Sequence, residues 1–172
     1  MNTTTTTIPT PAGPLTIVAT GSGAVRAAGF TGDAADLLPP GTPAPAPRPD
    51  LGAISDAVRA YLAGDLTAID EIPVAQPGGD FGDAREPKQR PFLAQAWQAL
   101  RETKPGEPLT YTGLALRAGR PAAVRAAANA CARNAAALFV PCHRVIRTDG
   151  GLGGYRWGTG VKRWLLDHEQ RH

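Results

Sequence analysis

Residues 109–134 read LTYTGLALRAGRPAAVRAAANACARN, and the fold class turns on how that stretch divides. The first eleven residues carry a short helical pattern that Gly119 closes, and 120–134 predict a second helix with Pro121 in its first turn. Two short helices about a glycine turn predict a helix-turn-helix. On the second helix Arg125, Asn129 and Arg133 fall at i, i+4 and i+8 as a polar stripe, and Val124, Ala128 and Cys131 form an apolar one. Nothing bulky surrounds the two arginines, so such a helix can approach a large surface closely, with its arginines reaching phosphates or a base stack. A packed alanine helix with two solvated arginines would read the same way.

Toward the C-terminus, FVPCHRVI (139–146) breaks a buried, strand-like run with Pro141, Cys142, His143 and Arg144. Three reactive or charged side chains cost free energy there unless the turn uses them. Pro141 ends the strand and presents Cys142 on a bend. In VKRWLLDHEQ (161–170), Val161, Trp164, Leu165 and His168 follow core spacing, and Glu169 joins that stripe. A buried carboxylate needs a partner, and a relay from Glu169 through His143 to Cys142 is chemically sensible. A free thiol has a pKa near about 8.5 and is mostly protonated at neutral pH, so a base beside it has a purpose. A bridging water suits two side chains adjacent in sequence. A frayed surface residue near the chain end is the alternative for Glu169.

Upstream of the helix pair, Pro91 marks a helix start before Phe92, Leu93, Ala96, Trp97 and Leu100, which share one face, and KPGEP (104–108) ends it. Further back, GPLTIVAT and AVRAAGF flank a Gly-Ser-Gly turn and predict a hairpin. The proline-rich segment 39–50 reads as a loop with extended stretches. Asp50 is expected to cap a helix whose stripe is Leu51, Ile54, Val58, Tyr61 and Leu62, with Gly64 as its stop. DLTAIDEIPVA (65–75) looks like a further strand, and 76–89 like a linker. The expected organisation is α+β, with an N-terminal part at 1–83 and a mainly helical C-terminal part at 84–172.

Charge divides the same way. Residues 1–83 carry three Lys/Arg against nine Asp/Glu, a net −6, and 84–172 carry fifteen against six, a net +9. A basic half of that size points to a polyanion, with an ordinary solvated surface as the alternative. At 172 residues and 42% apolar content the chain can bury a core. It has no apolar run long enough to span a membrane, and MNTTTTTIP lacks the features of a secretory signal, so a cytoplasmic protein with no membrane partner is expected. Two cysteines, Cys131 and Cys142, and three histidines argue against a disulfide framework or a structural metal.

The PCHRVI core (141–146), followed by GGLGGYRWG (150–158) and VKRWLLDHE (161–169) and preceded by 110–134, closely resembles the O6-alkylguanine-DNA alkyltransferases, the self-consuming DNA repair proteins. The resemblance covers 92–169, and the N-terminal TPAGPLTIVAT and GAVRAAGF are similar to the opening of bacterial members. It implies a small ribonuclease-H-like N-terminal domain followed by a winged helix-turn-helix domain that holds DNA and the active site. The implied partner is double-stranded DNA carrying O6-alkylguanine, with O4-alkylthymine a second substrate, bound by a monomer through the minor groove. No cofactor is needed.

Residue by residue, the resemblance makes Cys142 the acceptor thiolate, His143 the base acting through water, Glu169 the group that orients that histidine, and Asn134 the brace of the active-site loop. Tyr111 would donate to the flipped guanine and help rotate its phosphate. The backbone carbonyls of Cys142 and Val145 would receive the exocyclic amine, and Tyr155 and the amide of Arg156 would face the guanine oxygen. Arg125 would fill the hole left in the duplex, with Asn129 and Arg133 on the same DNA-facing helix. Asn129 stands where the family usually has glycine, and Ala135 replaces the proline that commonly follows Asn134; REPKQRPFLAQAW is a loose version of its counterpart. The zinc ligands of some relatives are missing, so no metal is expected, and an attached metal-bound regulatory domain is not expected either. Two rivals are a cysteine hydrolase built on Cys142 with His143 or His168, and a non-catalytic helix-turn-helix sensor of alkyl damage.

Overall fold

The computed structural model describes residues 2–75 and 90–172. The proposed linker at 76–89 and the division between residues 83 and 84 lie outside them. The chain opens with strand β1 (Thr3–Ile8), a run of β-branched threonines that the sequence reading assigns to no element. It pairs antiparallel with β2 (Leu15–Thr20), and β2 forms the expected hairpin with β3 (Val25–Gly29) across 21–24, where Gly23 takes a φ of 85°. Within the proline-rich loop only Ala46–Pro47 is strand: this β4 lies parallel to β1 at the edge, where a missing amide donor does least harm. The sheet order is β3-β2-β1-β4.

Helix α1 (Ala53–Leu62) buries Ile54, Val58 and Tyr61 as expected, and Gly64 stops it with a φ of 111°. Asp50 is not its cap. Gly52 holds that position without a side-chain bond, while Asp50 accepts from the Gly52 amide (2.6 Å) and pairs with Arg59 (2.8 Å). The strand expected at 65–75 is instead a chain of turns. Leu66, Ile69 and Ile72 are buried at intervals of three, a turn period rather than an alternating one, and only a bridge from Val74 to Val25 reaches the sheet.

The rest is helical. Helix α2 (Arg90–Arg101) buries Phe92, Leu93, Ala96, Trp97 and Leu100. A two-residue strand β5 (Leu109–Thr110) leads into α3 (Tyr111–Arg117), which Thr110 caps through the Gly113 amide and Gly119 ends at a φ of 86°. Helix α4 (Val124–Ala132) begins later than expected, because Pro121 sits in the preceding turn, closed by Ala123 N–H on Arg120. Its fully buried face is Ala127 and Ala130; of the predicted apolar stripe, Val124 and Cys131 are half-buried and pack against the core, while Ala128 is exposed. Trp97 Nε1 donates to the Ala130 carbonyl (2.9 Å), tying α2 to α4. Strand β6 (Val145–Ile146) pairs parallel with β5, and α5 (Thr159–Arg171) closes the chain.

One hydrophobic cluster runs through both parts, from Ile8 and Val58 to Leu114 and Leu165. A second lies on the other side of the sheet, where Val18, Ala27 and Leu37 receive Trp157. Gly29 makes that contact possible: a Cβ there would lie 2.2 Å from Cζ2 of Trp157.

Candidate active site

The segment leading to Cys142 is buried but is not a strand. Residues 137–140 form a turn, with Val140 N–H on the Ala136 carbonyl and Leu138 at a φ of 74°, a left-handed conformation that costs a branched side chain free energy. Surrounding bonds hold it there. Ala28 exchanges backbone bonds with residues 135 and 137, joining this segment to the free edge of β3. Asn134 accepts from the Ala136 amide (3.0 Å) and donates to the Val140 carbonyl (2.7 Å), and Arg101 donates to Phe139 O (2.8 Å) as well as to the carbonyls of Asp70 and Ile72. Pro141 then caps a single helical turn, Cys142–Arg144, which carries the thiol.

Cys142 is 8% exposed, and burial pushes its thiol up in pKa. The Asn134 amide, 3.2 Å from Sγ, and the Lys162 ammonium pull in the opposite direction. Behind the thiol, His143 Nε2 lies 2.8 Å from Oε2 of Glu169. Burial disfavours charge on Glu169, but His143 and Arg144 outweigh it and hold the carboxyl well below the usual range. Arg144 reaches both oxygens, Nε to Oε1 at 2.9 Å and Nη2 to Oε2 at 3.1 Å, and anchors itself on the Thr103 carbonyl (2.9 Å). A charged Glu169 can only accept, so Nε2 of His143 carries the proton and Nδ1 is left as a base. Nδ1 is buried without a hydrogen-bond partner among the described residues, and burial holds the imidazole below its ordinary pKa. The site therefore presents a neutral histidine with a free lone pair.

The thiol opens on a cavity of about 300 Å³. Tyr111, Asn134, Cys142, Tyr155 and Arg156 line it, bringing five of the sequence-predicted residues together. The Tyr155 hydroxyl is buried with no hydrogen-bond partner among the described residues, and burial raises its pKa, so it is available as a donor. His143, Glu169 and Val145 lie outside the lining. The carbonyls assigned to the guanine amine already hold internal donors: Val145 N–H on Cys142 O, and Lys162 Nζ on Val145 O at 2.6 Å. Each carbonyl oxygen keeps a second lone pair, but Val145 is fully buried and outside the cavity lining, so of the two residues only Cys142 borders the cavity. Arg125 is exposed on α4, while Asn129 and Arg133 are half-buried. The Arg156 guanidinium turns to the N-terminal part, donating to Asp36 O (2.6 Å) and lying 4.5 Å from the Trp157 ring centroid.

Sequence reading missed several members. Lys162 is fully buried and spans the Val145 and Gly154 carbonyls, and the 162, 165/166, 169 spacing that marks Glu169 marks it equally. Tyr61 was read as core alone, yet its hydroxyl donates to Glu169 Oε2 at 2.7 Å, a contact across 108 residues that no local pattern reveals. Cys131, expected on an apolar helix face, lines the same cavity as Cys142.

Comparison with known proteins bears on this arrangement. The family described as 6-O-methylguanine DNA methyltransferase, DNA binding domain, matches residues 91–171. The chain is 54% identical over 78 residues to the Escherichia coli bifunctional transcriptional activator/DNA repair enzyme Ada, covering 45% of this chain and 22% of that protein. It is 40% identical over 118 residues to a Shigella flexneri methylated-DNA--protein-cysteine methyltransferase, covering 69% of this chain and 63% of that one. The chain thus spans less than two thirds of the length of these curated relatives. Mycobacterium tuberculosis OGT in complex with DNA superposes over 98% of this chain and 93% of its own, with a TM-score of 0.79 and 31% identity. The methyl-transfer names of these relatives agree with a cavity whose Cys142 is backed by His143 and Glu169, and the chain belongs to the O6-alkylguanine-DNA alkyltransferase family.

Proposed function

We propose that this protein repairs DNA by moving the alkyl group of O6-alkylguanine, and of O4-alkylthymine, onto Cys142, once per molecule. The observation that carries this reading is the Cys142 thiol on the wall of the cavity, with His143 held by Glu169 behind it. An alkyl group on that oxygen sits within the base stack, so the base must be extruded before the thiol can reach it. Helix α4 would lie in the minor groove, with exposed Arg125 taking the vacated position in the stack and Asn129 and Arg133 beside it. Its alanine-rich surface supports that close approach, and a monomer suffices.

In the cavity, Nδ1 of His143 takes the thiol proton through one water. The thiolate attacks the alkyl carbon in line, an S–C bond forms, the C–O bond breaks, and its electron pair leaves on the guanine oxygen. Tyr155 and the Arg156 amide would face that oxygen, and Tyr111 would donate to the base as it departs. The thioether is stable, so the protein is consumed. The test is mass spectrometry after incubation with duplex DNA containing O6-methylguanine in excess. One methyl group per chain, on Cys142, is expected; repeated turnover, or methylation elsewhere, would overturn the reading.

A further inference from the structure

We propose that Tyr61 is a positioning residue for the cysteine chemistry, through which the N-terminal part of the chain sets the basicity of His143. The inference rests on the reading of His143 as the base for Cys142. Tyr61 is fully buried on α1 and held at both ends by α5: its hydroxyl donates to Glu169 Oε2 (2.7 Å), and its carbonyl lies 2.8 Å from His168 Nε2. The oxygen it meets is the one that faces His143, so Oε2 receives Tyr61, His143 and Arg144 Nη2, whereas Oε1 receives Arg144 Nε. A carboxylate shares its charge among its donors, and each further donor on Oε2 weakens its pull on the imidazole proton.

Tyr61 is suited to this because it stays protonated. Burial and the neighbouring carboxylate raise its pKa far above the ordinary phenol range, so it donates at every pH of interest. The other charged or titratable groups around the His143–Glu169 pair are Arg144 and Cys142 on the same turn, Lys162 on α5, Tyr155 on the following loop and Asp70 ahead of α2. Tyr61 is the donor among them that α1 supplies. It adds no charge, so it tempers Glu169 without neutralising it, and the histidine remains neutral and proton-accepting.

The test uses the full chain and two readouts: the His143 imidazole titration by nitrogen-15 NMR, and the rate at which iodoacetamide labels Cys142 as a function of pH. Tyr61→Phe should raise the His143 midpoint by about half a unit to one unit and move the acid limb of the labelling profile the same way. Site-specific 3-fluorotyrosine at position 61, a stronger donor of nearly the same shape, should shift both downward and keeps the test open if the phenylalanine variant does not fold. In a Glu169→Gln background the Tyr61→Phe shift should vanish. A His143 midpoint that stays put in either variant, whatever happens to stability, would reduce Tyr61 to a packing residue. Iodoacetamide needs no alkylguanine, so a wild-type protein that labels normally but ignores methylated duplex would refute the repair reading and leave the Tyr61 result to be judged by its own shifts.

Discussion

Helices α5 and α4 both contribute to the site around Cys142, and they are built in opposite ways. Helix α5 buries Lys162, His168 and Glu169, whereas α4 buries nothing larger than alanine and leaves Arg125 in solvent. On the proposed function the difference separates two tasks. A proton relay needs charges fixed in a dry interior, where their directions are settled before the reaction begins. Recognition of a duplex needs mobile charge on a smooth surface that another molecule can approach. The same division qualifies the net +9 of residues 84–172, since Arg144 and Lys162 are spent inside on Glu169 and on backbone carbonyls.

If that contrast is right, stability should depend steeply on the buried side and hardly at all on the exposed one. Glu169→Gln strands the Arg144 guanidinium without its anion and should cost about 3–5 kcal/mol in urea denaturation. The wild type should also lose stability in acid through two windows. Burial holds His143 below its ordinary pKa, so the folded state resists protonation, and stability falls as pH drops through about 6.5. Glu169 is held low despite its burial, so its contribution is complete above about pH 4.3 and drains away below that value. Denaturation midpoints measured from pH 8 to 3 should show the lower window missing in Glu169→Gln.

A smaller effect is expected at the notch on β3 that receives Trp157. Gly29→Ala places a methyl group inside the indole, so the loop carrying Tyr155 and Arg156 must move. Overpacking of this kind should cost about 1–3 kcal/mol in thermal denaturation, with a several-fold weaker reaction toward free O6-alkylguanine. On the exposed side, Arg125→Ala should leave stability within about 0.5 kcal/mol of wild type. A larger loss would mean that α4 uses its arginine for the fold, and the contrast would fail.

The helices, the hairpin and the reactive turn were legible because each is written in local sequence: Gly119 and Gly64 as stops, the α2 stripe, and Pro141 before Cys142. Glu169 was legible as a carboxylate on a core stripe. What could not be read were contacts fixed by long-range packing. The turn at 137–140 is apolar enough to be a strand, and its closing bond from Val140 to Ala136, with the bonds from Asn134 and from the distant Arg101, decides otherwise. The threonine run of β1 has no apolar alternation, so its strand character comes from the partner β2. Tyr61 looked like a packing residue alone because its partner Glu169 lies in the other part of the chain.

The central claim, that buried charge serves the chemistry and exposed charge serves the duplex, is tested most directly by one paired assay. Wild type, Glu169→Gln and Arg125→Ala would each be reacted with O6-methylguanine in duplex DNA and with free O6-alkylguanine, and the labelling rate of Cys142 measured. Glu169→Gln should slow both reactions by similar factors, because the relay acts on the thiol whatever carries the alkyl group. Arg125→Ala should slow the duplex reaction at least tenfold, in the range of the roughly few kcal/mol needed to unstack a base, and leave the free base nearly untouched. Equal losses on both substrates for Arg125→Ala would contradict the account.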